Sequence, residues 1–499
     1  MENFSIKSLV YKLRYLSVVF FLLVSCGDSG NIPASDTNND AITHDALIYL
    51  STASRSMTFK KTGVNFNTGL NIFPYTITLH PEEKYQQMDG FGAAITGSTS
   101  FNLMQMEATD RAKFLKEVFD LIEGRGFSYV RVCIGTSDFS LSDYTCCDNP
   151  GIENFALTSE ETQYVIPVLK EILEINPTLK IMGSPWTCPR WMKIKHRNKT
   201  SSPYNSWTGG HLNPFYYQDY AEYFVKWIKA FEAHGIPVYS ITPQNEPLNG
   251  GNTASLHMEW DEARDFVKTA LGPKLQAAGL DVKIYVFDHN YNYDNITSQQ
   301  QYPLKIYEDA EAAQYIAGAA YHNYGGSQDE LNYIHDRRPD KELVFSEASI
   351  GEWHDGRNLN SNFVGAVEEG INLANKWCKA VIVWNLMLDM DKKPHRPKGC
   401  STCYGVVDIS TDYKTITRNC HYYEIGHLAQ VVKPGAYRIK ADGYAEDGLR
   451  YEAFLNADNS YALVVLNKTI SEKSFTVNDG THSFSYKLPA KAAASIKWK

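Results

Sequence analysis

Between residues 88 and 388, short apolar runs alternate with longer segments whose apolar residues recur every three or four positions. The short runs read as buried strands and the longer segments as amphipathic helices. Eight strands are expected, at 88–96, 128–135, 180–186, 238–246, 283–290, 316–324, 342–347 and 380–388. Helices at 108–122, 159–175, 214–234, 259–278 and 362–379 fall between them. Pro214 suits a first helical turn, and Gly235 and Gly279 stand where helices stop. Alternating strand and helix implies a parallel sheet, and eight such units imply an α/β fold, a (β/α)₈ TIM barrel.

Past residue 426 the period shortens to two. Runs at 437–439, 449–456, 461–467, 474–477, 483–488 and 493–497 are separated by Asp, Asn and Gly. They predict an appended antiparallel β-sandwich. Segments 46–51, 57–60 and 75–79 share that texture, so the N-terminal part is expected to lend strands to the sandwich. The expected division is 45–80 for those strands, 81–426 for the barrel and 427–499 for the sandwich.

The first residues read as a targeting segment. Lys7, Lys12 and Arg14 precede an apolar run at 16–24, which has signal-peptide proportions and is too short for a permanent span. It ends Leu23-Val24-Ser25-Cys26, which resembles the lipobox of bacterial lipoproteins. A lipoprotein signal is therefore expected over 1–26, with Cys26 acylated, followed by a flexible tether over 27–44. An ordinary signal peptide that happens to contain a cysteine is the other reading. The lipobox implies export and lipid anchoring at a bacterial cell envelope, at the outer membrane or cell surface, with the anchor as the sole membrane contact.

Composition narrows the function. The net charge of −9 argues against nucleic acid as a partner. Aromatic residues make up 13% of the chain, with 32 tyrosines and 9 tryptophans, a supply that suits either core packing or a carbohydrate cleft. Cys146 and Cys147 are adjacent and ill placed to close a disulfide on each other. Cys400 and Cys403 form a CxxC near Cys420 without a second ligand pair, so a loop disulfide is expected there rather than zinc.

A barrel of this kind carries its active site at the C-terminal ends of its strands. Those ends read Ser137-Asp138-Phe139, Ser184-Pro185-Trp186, Gln244-Asn245-Glu246, Asp288-His289-Asn290, His322-Asn323-Tyr324, Ser346-Glu347 and Trp384-Asn385. Glu246 ends the fourth strand and Glu347 the seventh, on opposite sides of the mouth. Two facing carboxyl groups can cleave a glycosidic bond, one protonating the leaving oxygen and the other attacking the anomeric carbon. An ionised Glu347 is expected to raise the pKa of Glu246 and keep it protonated. Either glutamate alone could instead pair structurally with a basic residue such as Arg131.

Six stretches raise the specificity. MDGFGAAIT (88–96), YVRVCIGTSDFSLSDYTCCD (129–148), GSPWTCPRWMK (183–193), TPQNEP (242–247), FSEA (345–348) and WNLMLD (384–389) resemble glycoside hydrolase family 30, in family order. That family includes lysosomal glucosylceramidase and β-1,6-glucanases. The resemblance implies Glu246 as acid/base and Glu347 as nucleophile. It implies Asn245 at the sugar 2-hydroxyl, Asp138 at hydroxyls across the ring, and Trp186 and Trp384 as pocket floor and walls. It puts Arg131 and Tyr324 beside Glu347, with His322 orienting the site or packing within it. His289 is a further candidate substrate contact, or a support for its loop.

The function this implies is a retaining β-glycosidase without cofactor or metal, acting on a β-glucan or another β-glucoside. The lipid anchor favours an extracellular glucan and hence a β-1,6-glucanase. Glucosylceramidase or general β-glucosidase activity is the alternative, and a non-catalytic glycan-binding protein is a third reading. A metal hydrolase built on His289, His322 and His354 lacks HxxxH or HExxH spacing.

Overall fold

The computed structural model describes residues 44–68, 73, 75–292, 296–443 and 448–499. The expected signal segment, Cys26 and the tether up to residue 43 lie outside the described residues. Among the described residues, seventeen strands build the two main sheets. Before the barrel come β1 (Ala46–Thr52), β2 (Lys60–Val64) and β3 (Thr76–Gln87). The barrel strands are β4 (Gly90–Ala94), β5 (Tyr129–Cys133), β6 (Lys180–Ser184), β7 (Ser240–Ile241), β8 (Lys283–Asn290), β9 (Ile316–His322), β10 (Glu342–Glu347) and β11 (Cys378–Asn385). The sandwich continues with β12 (Tyr437–Asp442), β13 (Leu449–Leu455), β14 (Tyr461–Asn467), β15 (Lys473–Asn478), β16 (Ser483–Leu488) and β17 (Ala492–Trp498).

Strands β4 to β11 close in sequence order into a parallel barrel. Tyr129, Met182, Tyr285, Ala320, Val344 and Ile382 fill one buried cluster contributed by barrel strands. A larger apolar layer packs the strands against the helices. β7 is two residues long where nine were expected. Pro243 has no N–H for a ladder, and the chain then turns, with Glu246 at φ 43°.

The expected helices form at Ala108–Phe119, Ile166–Ile175, Tyr217–Ala233, Trp260–Phe266 and Leu359–Asn375. Gly235 and Gly279 adopt φ of 80° and 68° just past helix ends. Two helices had no readable stripe. Gly97–Gln105 buries Ser98, Thr99 and Asn102, and Ser98 Oγ and Asn102 Nδ2 donate to loop carbonyls of Phe139 and Lys393. Cys420–Ala429 is buried on every face.

The sandwich strands run β2-β1-β17-β14-β13-β12-β3-β15-β16, so N-terminal strands sit among C-terminal ones. β1 lies between β2 and β17, with Ala46 opposite Trp498. One pairing departs from the expected antiparallel order. β3 runs parallel to β15 through residues 76–78 and antiparallel to β12 from residue 78 onward. β3 reaches Gln87, past the expected boundary at 81, and the helix Cys420–Ala429 runs past 426. Phe59 stacks on Tyr423 and His427 of that helix, and His427 Nδ1 lies 2.8 Å from Ser495 Oγ of β17, tying sandwich to barrel. Among the described residues, no helix is long and apolar enough to cross a membrane.

Candidate active site

The turn after β7 and the end of β10 bring Glu246 and Glu347 together over the barrel. One carboxylate oxygen of each, with His322 Nδ1, forms a group whose members all lie within 4.8 Å of one another. Glu246 holds a left-handed backbone conformation, and its N–H donates to the carbonyl of Asp288 at 2.9 Å. Such a conformation in a residue with a side chain is strained and is kept only where its surroundings impose it.

Glu347 is aimed by two donors. Arg131 Nη1 donates to Oε2 at 2.6 Å, and the Tyr324 hydroxyl donates to Oε1 at 2.8 Å. Arg131 also donates from Nη2 to Asn245 Oδ1 and Asp288 Oδ2, both at 2.7 Å, and to Ser184 Oγ at 3.1 Å. The bond to Asn245 fixes that amide with its NH₂ as the remaining donor.

Asp288 is the residue that sequence reasoning missed. It is fully buried and accepts from Arg131, Ser184 and Thr242 on Oδ2, and from His322 and Ser346 on Oδ1. Phe287 and Asp288 have φ of 74° and 54°, and the β8–β9 register shifts there. That irregularity breaks the two-residue alternation, so counting along β8 does not reveal which face Asp288 serves.

His322 bridges the network, with Nε2 3.0 Å from Asp288 and Nδ1 3.3 Å from Glu246. Asn249 Nδ2 donates to the other oxygen of Glu246 at 2.7 Å.

These contacts set the charges. Burial opposes ionisation of Asp288, but the charges of Arg131 and His322 and their hydrogen bonds hold it far below the carboxylate range. Burial also opposes protonation of His322, yet Glu347, Asp288 and Glu246 raise it to about 9. Burial and the charges of Glu347 and Glu246 push Asp138 up to about 8.

The glutamate pair departs from expectation. Burial disfavours the Glu246 anion, but the His322 bond, the charges of His289 and His322, and the Asn249 bond outweigh it and hold Glu246 at about 2. Glu347 is raised, first by burial and further by Glu246, against the pull of His322 and Arg131. The expectation left out His322 as a base. A Glu246 carboxylate beside a His322 imidazolium holds as many protons as a Glu246 acid beside a neutral imidazole still donating Nε2–H to Asp288. The proton belongs to the Glu246–His322 pair.

A stability test follows. A raised histidine pKa stabilises the fold in full below the ordinary value of about 6.5. That contribution is lost as pH rises through about 9, and amounts to ~3 kcal/mol. His322→Gln should therefore lower the melting temperature at pH 6 and flatten its decline toward pH 9. Parallel wild-type and variant curves would contradict this.

A cavity of about 390 Å³ opens above the pair, lined by Asp138, Glu246, Asn249, Tyr324, Glu347 and Trp384. The Cys400–Cys403 disulfide closes one side, and Cys420 is a free buried thiol. Four expected contacts, Asn245, Trp186, His289 and His322, are not among the residues lining the cavity, and Asn245 is 3% exposed. Trp186 is 2% exposed and stacks on Trp384 at 5.1 Å, so it supports the wall from behind. His289 is 1% exposed, edge-on to Phe287 and His322, and His322 is fully buried. Both are buried rather than presented to the cavity, and β9 turns His322 into the hydrogen-bonded layer around Asp288. Glu246, His322 and Glu347 also have the donor spacing of a cation site. Arg131 and the His322 imidazolium already supply two positive charges there, which disfavours a metal ion.

Comparison with known proteins agrees with this architecture. A solved structure, the endo-β-1,6-glucanase BT3312, is 59% identical with a TM-score of 0.90, covering 91% of this chain and 99% of that one. An endo-1,6-β-D-glucanase of Neurospora crassa is 30% identical over 419 residues, 81% of this chain and 83% of its own length. The lysosomal acid glucosylceramidase of Mus musculus is 27% identical over 424 residues, 81% of this chain and 79% of its own. Residues 88–432 match the glycosyl hydrolase family 30 TIM-barrel domain and 435–496 the family 30 β-sandwich domain. With barrel, sandwich and facing glutamates in one chain, the protein belongs to glycoside hydrolase family 30.

Proposed function

We propose that this chain is a retaining endo-β-1,6-glucanase in which Glu347 is the nucleophile and Glu246 the acid/base. The observation that carries the mechanism is that one oxygen of each carboxylate lies within 4.8 Å of one oxygen of the other. Retaining enzymes hold their carboxyl groups ~5–5.5 Å apart, whereas inverting ones need roughly 6.5–9.5 Å for an intervening water. Glu347, aimed by Arg131 and Tyr324, attacks the anomeric carbon as an anion. The Glu246–His322 pair delivers its proton to the leaving oxygen through Glu246. Once the sugar esterifies Glu347, one negative charge is gone, and Glu246 takes a proton from the incoming water. Asn245 binds the 2-hydroxyl, where a hydrogen bond strengthens as the ring flattens. Asp138, neutral by virtue of its surroundings, donates to a hydroxyl across the ring.

The likeness to BT3312 supports the β-1,6 linkage and internal cleavage. Incubation with β-1,6-glucan and with glucosylceramide, followed by product sizing, tests it. Short β-1,6-linked oligomers are expected early in the digest. Glucose released from the lipid with the glucan left intact would replace this reading with glucosylceramidase activity.

Export and anchoring belong to the same proposal and rest on the motif ending at Cys26. Acyl chains on that cysteine would hold the enzyme at the cell envelope, where polymeric glucan is met. Labelled palmitate should enter the wild-type protein and not Cys26→Ser, which should leave the membrane fraction. Equal labelling of both would remove the anchor.

A further inference from the structure

Lys193 carries a charge into the interior, where the residue is only 1% exposed. Among the described residues no carboxylate pairs with it. Backbone carbonyls take the place of a counter-ion. Nζ donates to those of Ser206, Gly209 and Ser255 at 3.0, 3.0 and 2.7 Å and reaches that of Trp207 at 3.2 Å. An ammonium has three N–H groups and accepts nothing, so a cage made of carbonyls uses all of them. Burial pulls the group down to about 8, which leaves it charged at neutral pH.

The cage is built from two loops. Lys193 pairs with Leu212 in a two-residue ladder within the loop after β6, which also carries Ser206, Trp207 and Gly209. Ser255 belongs to the loop after β7, the one that carries Glu246. Further bonds run along the same seam. Ser255 N donates to Trp207 O at 3.0 Å, Gly209 N donates to Ser255 Oγ at 2.9 Å, and Thr208 Oγ1 donates to Thr253 O at 2.9 Å. Ser255 Oγ in turn lies 3.0 Å from Gly250 O and 3.2 Å from Asn252 O. The seam therefore closes the segment that begins at Asn249. Asn249 N donates to the carbonyl of Glu246 at 2.9 Å, and its Nδ2 donates to Glu246 Oε2 at 2.7 Å. Asn249 and Asn252 line the catalytic cavity, and Lys193 does not.

We propose that Lys193 is a positioning residue for the acid/base: its ammonium clamps the loop after β6 to the loop after β7 and so holds Asn249 against Glu246. The inference rests on the two-glutamate reading of the site. The clamped segment reads Asn249-Gly250-Gly251-Asn252, and two successive glycines give it more backbone freedom than any other pair would. Without an anchor that freedom opposes the ordered placement of Asn249. Removing the ammonium takes the donor from the Ser206, Gly209 and Ser255 carbonyls, and the segment loses its hold on the facing loop. A clamp that acts through Asn249 predicts a selective effect. Proton delivery by Glu246 suffers, and attack by Glu347, aimed by Arg131 and Tyr324, does not.

Lys193→Met keeps the length of the side chain and removes its charge and donors. It should lower kcat/KM on β-1,6-glucan by about tenfold. The pre-steady-state release of dinitrophenolate from 2,4-dinitrophenyl β-glucoside should stay within about twofold of wild type, since that leaving group needs no proton. In an Asn249→Ala protein, Lys193→Met should cost at most about a further twofold on glucan, because one path carries both effects. Ser255→Ala cuts the seam while leaving the carbonyl cage whole, and it supplies the same comparison should Lys193→Met fold poorly; its loss should again be confined to glucan. Equal losses on the two substrates would overturn the clamp, as would a full tenfold loss on top of Asn249→Ala or unchanged glucan turnover in both variants. Wild-type turnover of the glucan tests the glucanase reading separately, since the clamp is judged from variant-to-wild-type ratios. The same ratios can be taken on glucosylceramide, whose alkoxide leaving group also needs a proton.

Discussion

Glu347→Ala should lower kcat on β-1,6-glucan and on 2,4-dinitrophenyl β-glucoside alike, by about 10⁴-fold or more, equivalent to about 5 kcal/mol of barrier. The loss should not depend on the leaving group, because the missing group is the one that attacks. Its environment makes the substitution informative. The carboxylate accepts one bond from buried Arg131 and one from Tyr324, so truncation leaves two donors beside a vacated space. Arg131 keeps Asp288 and Asn245 as partners, which should preserve the fold. Azide can enter that space and attack from the face that Glu347 used. The product should be the α-glucosyl azide at a partly restored rate. A β-azide, or near wild-type turnover, would remove Glu347 from the nucleophile's role.

Glu246→Ala should separate the two substrates instead. Glucan cleavage needs a proton at the departing oxygen and should fall by roughly 10²–10⁴-fold, the usual worth of a positioned acid. Dinitrophenolate leaves without a proton, so glycosylation should persist and the glycosyl-enzyme should accumulate for want of a base. Azide should then speed turnover and give the β-glucosyl azide, since it attacks the intermediate from the face opposite Glu347. His322 loses its nearest carboxylate on Nδ1 but keeps Asp288 on Nε2. Its imidazole should therefore remain in place, and the product's configuration reports on Glu246 alone. Equal losses on both substrates, with no response to azide, would contradict the acid/base assignment.

The fold and the two glutamates were legible because their signals are local. Apolar runs such as 342–347 and amphipathic segments such as 217–233 announce strand and helix within a few residues of themselves. Once the barrel was counted, Glu347 fell at a strand end and Glu246 just past the fourth strand, and the family resemblance then singled out the pair. Some expected contacts, Trp186 carried over from the family resemblance and His289 taken from its strand end, are buried away from the cavity surface. Trp186 has the side chain of a sugar platform, yet Trp384 covers it. The helix Cys420–Ala429 escaped notice because a segment buried all round carries no polar period.

By itself, the amino-acid order determined the barrel, the strand-lending sandwich and the opposition of two carboxyl groups, all of which follow from periodicity and from counting elements along the chain. The tertiary structure alone decided how the site is charged and bounded. Asp288 becomes a hub because a backbone irregularity turns it toward Arg131, 157 residues earlier in the chain. The acid proton is shared with His322 because β9 brings that ring within 3.3 Å of Glu246, 76 residues away. Electrostatic interaction depends on distance in space and on exclusion of water, and neither quantity is written in the spacing of residues along a chain.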